Sequence, residues 1–163
     1  MTTKEDVIAG IEAVDARLER LGPAMVARAE VPLLESEWNV RQALSHLAAR
    51  GNSVPLALTI GERLQAAQAQ GLSPSARAAR GAVINQGQID DRENRGVPDL
   101  LTEIRAGHQA AIVAVREMDP ETFERRLPRF TAEGDMSLGE MVLRAGPGHE
   151  NEHLDQIERV LGG

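Results

Sequence analysis

The sequence contains no cysteine and no tyrosine, one tryptophan and two phenylalanines. Without cysteine there is no disulfide, no thiolate metal ligand and no cysteine nucleophile, so any metal must be held by histidines and carboxylates. With aromatics at 2%, the core has to be built from Leu, Val, Ile, Ala and Met. Such a core suits packed helices better than a β-sandwich. Long apolar runs are also missing. No stretch approaches the ~18 consecutive apolar residues of a membrane span. The opening MTTKEDVIAG carries no apolar signal segment. The expectation is a cytoplasmic protein with no membrane partner. Positive charge is in deficit, with 18 Lys and Arg against 25 Asp and Glu and a net charge of −7. A phosphate backbone requires clustered Lys and Arg, so no nucleic-acid partner is expected. The one tight basic cluster, Arg125, Arg126 and Arg129, reads as a solvated face.

At 163 residues the chain is expected to form one domain over 1–163. Four strong helical stretches can be read. The first covers about 3–21, with Ile8, Ile11, Val14, Leu18 and Leu21 at helical spacing and Gly22-Pro23 as its end. The second covers about 36–71, with Ser36 as N-cap, Trp38, Val40, Leu44 and Leu47 along it, and Pro55 kinking or splitting it. GLSPS is a breaker cluster, and the polar stretch after it reads as a weak helix plus connection. The third covers about 97–118, with Pro98 in its first turn and Leu101, Ile104, Ile112 and Val115 on one side. MDPETFERRLPRF is a connection with room for a short helical turn. The fourth opens on a capping box, Ser137 with Glu140, and is apolar at Leu138, Met141, Val142, Leu154, Ile157 and Leu161. No strand alternation stands out. The predicted fold is all-α, a four-helix bundle with a long connection between helices 2 and 3.

His149-Glu150-Asn151-Glu152-His153 satisfies HExxH, which places two imidazoles one turn apart on one helix face, as a shared metal requires. As a zinc-protease motif it lacks its third ligand. Ten residues follow His153; Gln156 and Ile157 are poor ligands, and Asp155 and Glu158 face away. An upstream donor could complete a metal site. The candidates are His46, in EWNVRQALSHLAARG, and His108, in EIRAGHQAAIV.

A Trp opening the second helix, a polar-Val step and then ALSHLAA resemble the DinB/YfiT superfamily motif around its first metal histidine. HENEHLDQI is similar to the closing motif of the same superfamily. The middle stretch INQGQIDDRENRGVPDLLTEIRAGHQA resembles the subgroup related to the colibactin self-resistance proteins and the thiol-dependent isomerases, and the likeness spans about 4–160. The resemblance implies a DinB-like bundle whose metal ligands are His46, His149 and His153. His108 matches no family ligand and reads as a helix-surface or packing residue. Trp38 reads as a core anchor, and Asn85 matches a recurrent Asn with no role attached. Gly146-Pro147-Gly148 departs from the family pattern and should bend the helix before His149.

Three neutral imidazoles leave a divalent ion its full charge and an open position, as catalytic sites do. The ligand set suits Zn, Ni or Fe. Glu150 and Glu152 are candidates for a base or for orienting a histidine, but read more simply as solvated helix charges. The family implies a metal-dependent enzyme acting on a small electrophile, by hydrolysis or by transfer to or isomerisation with a low-molecular-weight thiol, in stress or detoxification. The alternative is a metal-binding stress protein without turnover. A small-molecule substrate is the expected partner, and a homodimer is compatible with the bundle.

Overall fold

The structure, a computed structural model, describes residues 2–127 and 135–162. Helix α1 spans Lys4–Ala27 and starts from a capping box. The Thr3 hydroxyl accepts from the Asp6 N–H, and the Asp6 carboxylate accepts from the Thr3 N–H. Its stripe Val7, Ile11, Val14, Leu18, Leu21, Met25 is buried. The expected end at Gly22-Pro23 is therefore wrong: Pro23 lies inside α1. A proline forfeits one backbone bond and strains the turn before it. Full burial of Met25 in the core beyond it offsets that loss.

The second helical arm is two helices, α2 (Val40–Ala48) and α3 (Ser53–Ala69). The N-cap of α2 is Asn39 rather than Ser36, in a reciprocal box with Gln42. The break falls at Gly51-Asn52, and Pro55 sits in the first turn of α3, where its missing N–H costs nothing. Gly51 marks the break because this bend lies directly on the backbone of α5 (Val97–Glu117). A Cβ on Gly107 of α5 would lie 2.6 Å from the Gly51 carbonyl carbon. Two glycines thus let two backbones touch.

The segment expected to be a weak helix is a full one, α4 (Pro74–Asp90), capped by Ser73 and packed on α2. It forms the long connection between the second and third arms. After α5 come the short α6 (Pro120–Glu124) and a two-residue antiparallel ladder, β1 (Arg126–Leu127) with β2 (Met136–Ser137). Arg126 is exposed beside Glu140, 3.5 Å away, whereas Arg129 lies outside the described residues. The last arm is α7 (Leu138–Leu143), a π-helical turn over Arg144–Gly148, and α8 (His149–Leu161). The predicted capping box of Ser137 with Glu140 opens it. The four arms α1, α2–α3, α5 and α7–α8 make the expected bundle.

Pro147 neither ends nor sharply breaks the last arm. The turn around it widens, and the His149 N–H reaches back five residues to the Arg144 carbonyl. A π turn tolerates a residue that cannot donate to the α-helical ladder. Gly146 allows this wider turn to press on α3, since a Cβ there would stand 2.6 Å from Cβ of Ser53.

Two apolar clusters fill the bundle. One gathers Leu18, Leu44, Leu47, Ile104 and Leu154. The other gathers Val7, Ile11, Ile112, Val115 and Leu138. At the level where they meet, the arms contribute Asp15, Arg50, His108 and Glu150 instead of hydrocarbon. His108 and Glu150 are each 1% exposed.

Candidate metal centre

His46 stands in the last turn of α2, between Leu44 and Leu47, and is 1% exposed. His149 opens α8, and His153 follows one turn later. The fold brings all three together, although 103 residues separate His46 from His149: their Nε2 atoms lie 2.9 Å apart. One ligating nitrogen from each of the three falls within 4.8 Å of the others. The rings meet nearly edge to face, with centroids 5.2, 5.1 and 4.6 Å apart. Trp38 does more than anchor the helix start. Its ring lies 5.1 Å from that of His46 and stacks at 5.8 Å on His153, forming one wall of the cluster.

The outer nitrogens are as informative as the inner ones. His46 Nδ1 donates to Oε1 of Gln88 on α4 at 2.8 Å, and His153 Nδ1 donates to Oε1 of Gln156 at 3.2 Å. The Glu152 carboxylate stands 3.7 Å from His149 Nδ1. An oxygen facing Nδ1 favours the tautomer with its proton there and leaves Nε2 as a bare lone pair. Nitrogen lone pairs converging on one point repel unless a cation or a shared proton lies between them. The residues present fit a divalent ion, which these three histidines could hold.

The charge state fits as well. Burial, aided by the Arg50 guanidinium and by His153, pushes His46 down to about 3. Burial with Arg50, His153 and His46 does the same to His149, also to about 3. Burial lowers His153 too, against the pull of its bond to Gln156. Near neutrality no proton has to leave before a metal enters. A metal-loaded sample should therefore keep its ion as the pH falls from about 7 to about 5, as read by elemental analysis after desalting. Release centred near the ordinary imidazole value of about 6.5 would contradict this environment.

His108 does not join the cluster, and it is not a helix-surface residue. Its Nδ1 lies 2.6 Å from Oδ1 of Asp15 and its Nε2 2.9 Å from Oε1 of Glu150. Burial opposes its charged form, but hydrogen bonding to Glu150, the charge of Glu150 and then Asp15 outweigh it and raise its pKa. Glu150 is likewise no solvated helix charge; it is buried with one oxygen on His108. It sits one turn before Leu154 on the same stripe, and His108 one turn after Ile104. Those spacings were the available signal. The glutamate of HExxH is thus engaged away from the histidines, unlike a protease base. Glu152 is exposed as expected, 77% at its side chain. From α4 it is Gln88, one turn beyond Asn85, that reaches the cluster. Nothing in the sequence singled out Gln88.

A helical bundle with three neutral imidazoles gathered between its second and last arms defines the class of protein. The chain belongs to the DinB superfamily, whose sequence profile matches residues 6–157. No functionally curated protein matches it significantly. Its fold is similar to that of the colibactin self-resistance protein ClbS, solved as a crystal structure in complex with a double-stranded DNA. The TM-score is 0.69 at 16% identity, over 98% of this chain and 95% of that one.

That complex corrects one expectation. A net charge of −7 does not exclude a nucleic-acid partner, because a protein of this fold has been crystallised with DNA. Net charge is a sum over the whole surface, whereas binding reads its local distribution. Here the distribution is uneven: residues 63–89 hold Arg63, Arg77 and Arg80 and no Asp or Glu. Among the described residues, no helix is long and apolar enough to cross a membrane.

Proposed function

We propose that His46, His149 and His153 hold one divalent ion, Zn, Ni or Fe, and that the protein is a metal-dependent enzyme acting on a small electrophilic molecule. The observation that supports this is the set of three converging imidazoles with an oxygen facing each Nδ1. When bound, such an ion supplies Lewis acidity at an open coordination position. His46 is sealed behind Trp38, whereas the His149 side chain is 28% exposed, so the cluster faces solvent on that side. A structural site would be closed by a fourth protein ligand. Trp38 excludes water from the opposite wall, and Gln88 and Gln156 keep their rings in register. The reading takes 1–163 as one domain.

Two reactions suit this arrangement. Hydrolysis adds water across the scissile bond, and thiol transfer forms a C–S bond while the leaving group departs with its electron pair and the thiol proton is released. The test is to incubate metal-loaded and chelator-treated protein with epoxides, lactones and activated esters, with and without glutathione. Substrate loss is expected only with metal. Fully loaded protein that consumes none of them would favour the non-catalytic alternative.

A further inference from the structure

Helices α3 and α4 are joined by a short loop, yet a cleft of about 380 Å³ opens between them. Its lining includes Ile60, Ala67, Leu72 and Ile84, together with Arg63 and Arg80. The size is that of a small-molecule site. The Arg77 guanidinium donates to the Leu72 carbonyl at 2.7 Å and fastens the loop that closes one end.

The helix turn of α4 just beyond the cleft reaches the histidines. On α4, Arg77, Gly81 and Ile84 line the cleft, and Gln88 continues the series at i, i+4, i+7 and i+11, one face of a helix. Gln88 is the residue that touches His46. On the opposite wall, α3 leads back from Arg63 to Ser53 and, just before it, Arg50. Arg50 is pulled down chiefly by burial, partly offset by Glu150, and the charge of Arg63 adds to the fall. Its Nε is buried without a hydrogen-bond partner. The cleft is thus lined chiefly by apolar side chains, with Arg63, Arg77 and Arg80 as its only charged lining residues among those described and none of them acidic, in a chain of net charge −7.

We infer that this cleft binds an amphiphilic monoanion, an alkyl or aryl carboxylate whose apolar body lies between α3 and α4 and whose charge is held by the arginines. This names the substrate class of the reading above, and it rests on that reading only in placing the reacting end beside His46. Apolar walls require a hydrocarbon body, and guanidinium groups pair with carboxylate through charge-assisted hydrogen bonds. A nucleic-acid backbone would leave those walls uncovered, since it needs cations on an open face rather than around an apolar slot.

The probe is dodecanoate, compared with dodecan-1-ol, titrated calorimetrically into chelator-treated protein so that the result does not depend on metal. Dodecanoate should bind at one site and the alcohol more weakly. Arg63→Ala with Arg80→Ala should weaken dodecanoate about tenfold or more, the scale of a lost charge-assisted pair, and leave the alcohol unchanged. Ile84→Glu, at a position 36% exposed, should weaken both. Equal affinity for acid and alcohol would overturn the proposal, as would an unchanged dodecanoate affinity in the double variant. So would the absence of dodecanoate binding combined with arginine-dependent binding of a short double-stranded oligonucleotide. If dodecanoate binds as expected but metal-loaded protein turns nothing over, the cleft stands and the enzymatic reading falls.

Discussion

His46→Ala is expected to leave the purified protein without stoichiometric metal, whereas His108→Ala keeps metal wherever the variant folds. Two imidazoles one turn apart on α8 bind a divalent ion weakly; the third, from α2, closes the site only in the folded bundle. Loss of an outer partner such as Gln88 should weaken affinity by the roughly 10–100-fold typical of such contacts. Loss of His46 itself should exceed that. Binding to the native state alone stabilises it, by about 4 kcal/mol at a thousandfold excess over Kd. For a chain of this size that is a rise in Tm of about 8–16 °C on adding metal. The His46→Ala variant should show almost none of it. Full occupancy and an undiminished shift in that variant would remove the three-histidine site.

The second large effect lies beneath the cluster. His108→Ala removes the imidazole that bridges Asp15 and a Glu150 that is 1% exposed. Stranding a buried charge in this way costs about 3–5 kcal/mol. In thermal unfolding that is a fall of about 6–20 °C. The effect has a pH signature. The folded protein raises the pKa of His108, so it binds this proton more tightly than the unfolded chain does. The stabilisation is complete below the unfolded value of about 6.5 and is lost as pH rises through the higher folded value. The gap between wild type and variant should therefore narrow with rising pH. A Tm within about 2 °C of wild type, or a gap that widens with pH, would contradict a buried His108 imidazolium.

These two sites were not equally legible beforehand. The apolar periodicity of α1 and α5 and the Ser137 capping box are local signals, and they survive in the fold. His149 and His153 were legible through their one-turn spacing, whereas only the family resemblance chose His46 over His108. The polar layer was missed because His108 was set aside as matching no family ligand and Glu150 was read as a solvated helix charge. Their positions, one turn from Ile104 and Leu154, pointed inward. Boundaries failed where tertiary contact overrides local chemistry. Pro23 is carried through by the burial of Met25, and the α2–α3 break is set by a backbone crossing at Gly107 that no local pattern encodes. Gln88 could not have been found, because only the packing of α4 on α2 brings it to His46.

The widened turn at Pro147 also governs the phase of the last arm. Each residue of an α-helix advances about 100°. Were the arm regular from Leu138 onward, the stripe of Leu138 and Val142 would continue through Ala145, His149 and His153. Leu154 and Ile157 would then swing away by about that same angle. The π turn holds one residue more than an α turn, so the stripe passes instead through Glu150, Leu154 and Ile157, which are buried. His149 and His153 move to the shoulder of the core, where His46 can meet them. In genetic terms this is the effect of a single codon. An in-frame loss of one residue between Leu143 and His149 would turn the imidazoles into the hydrocarbon and the leucines out to water.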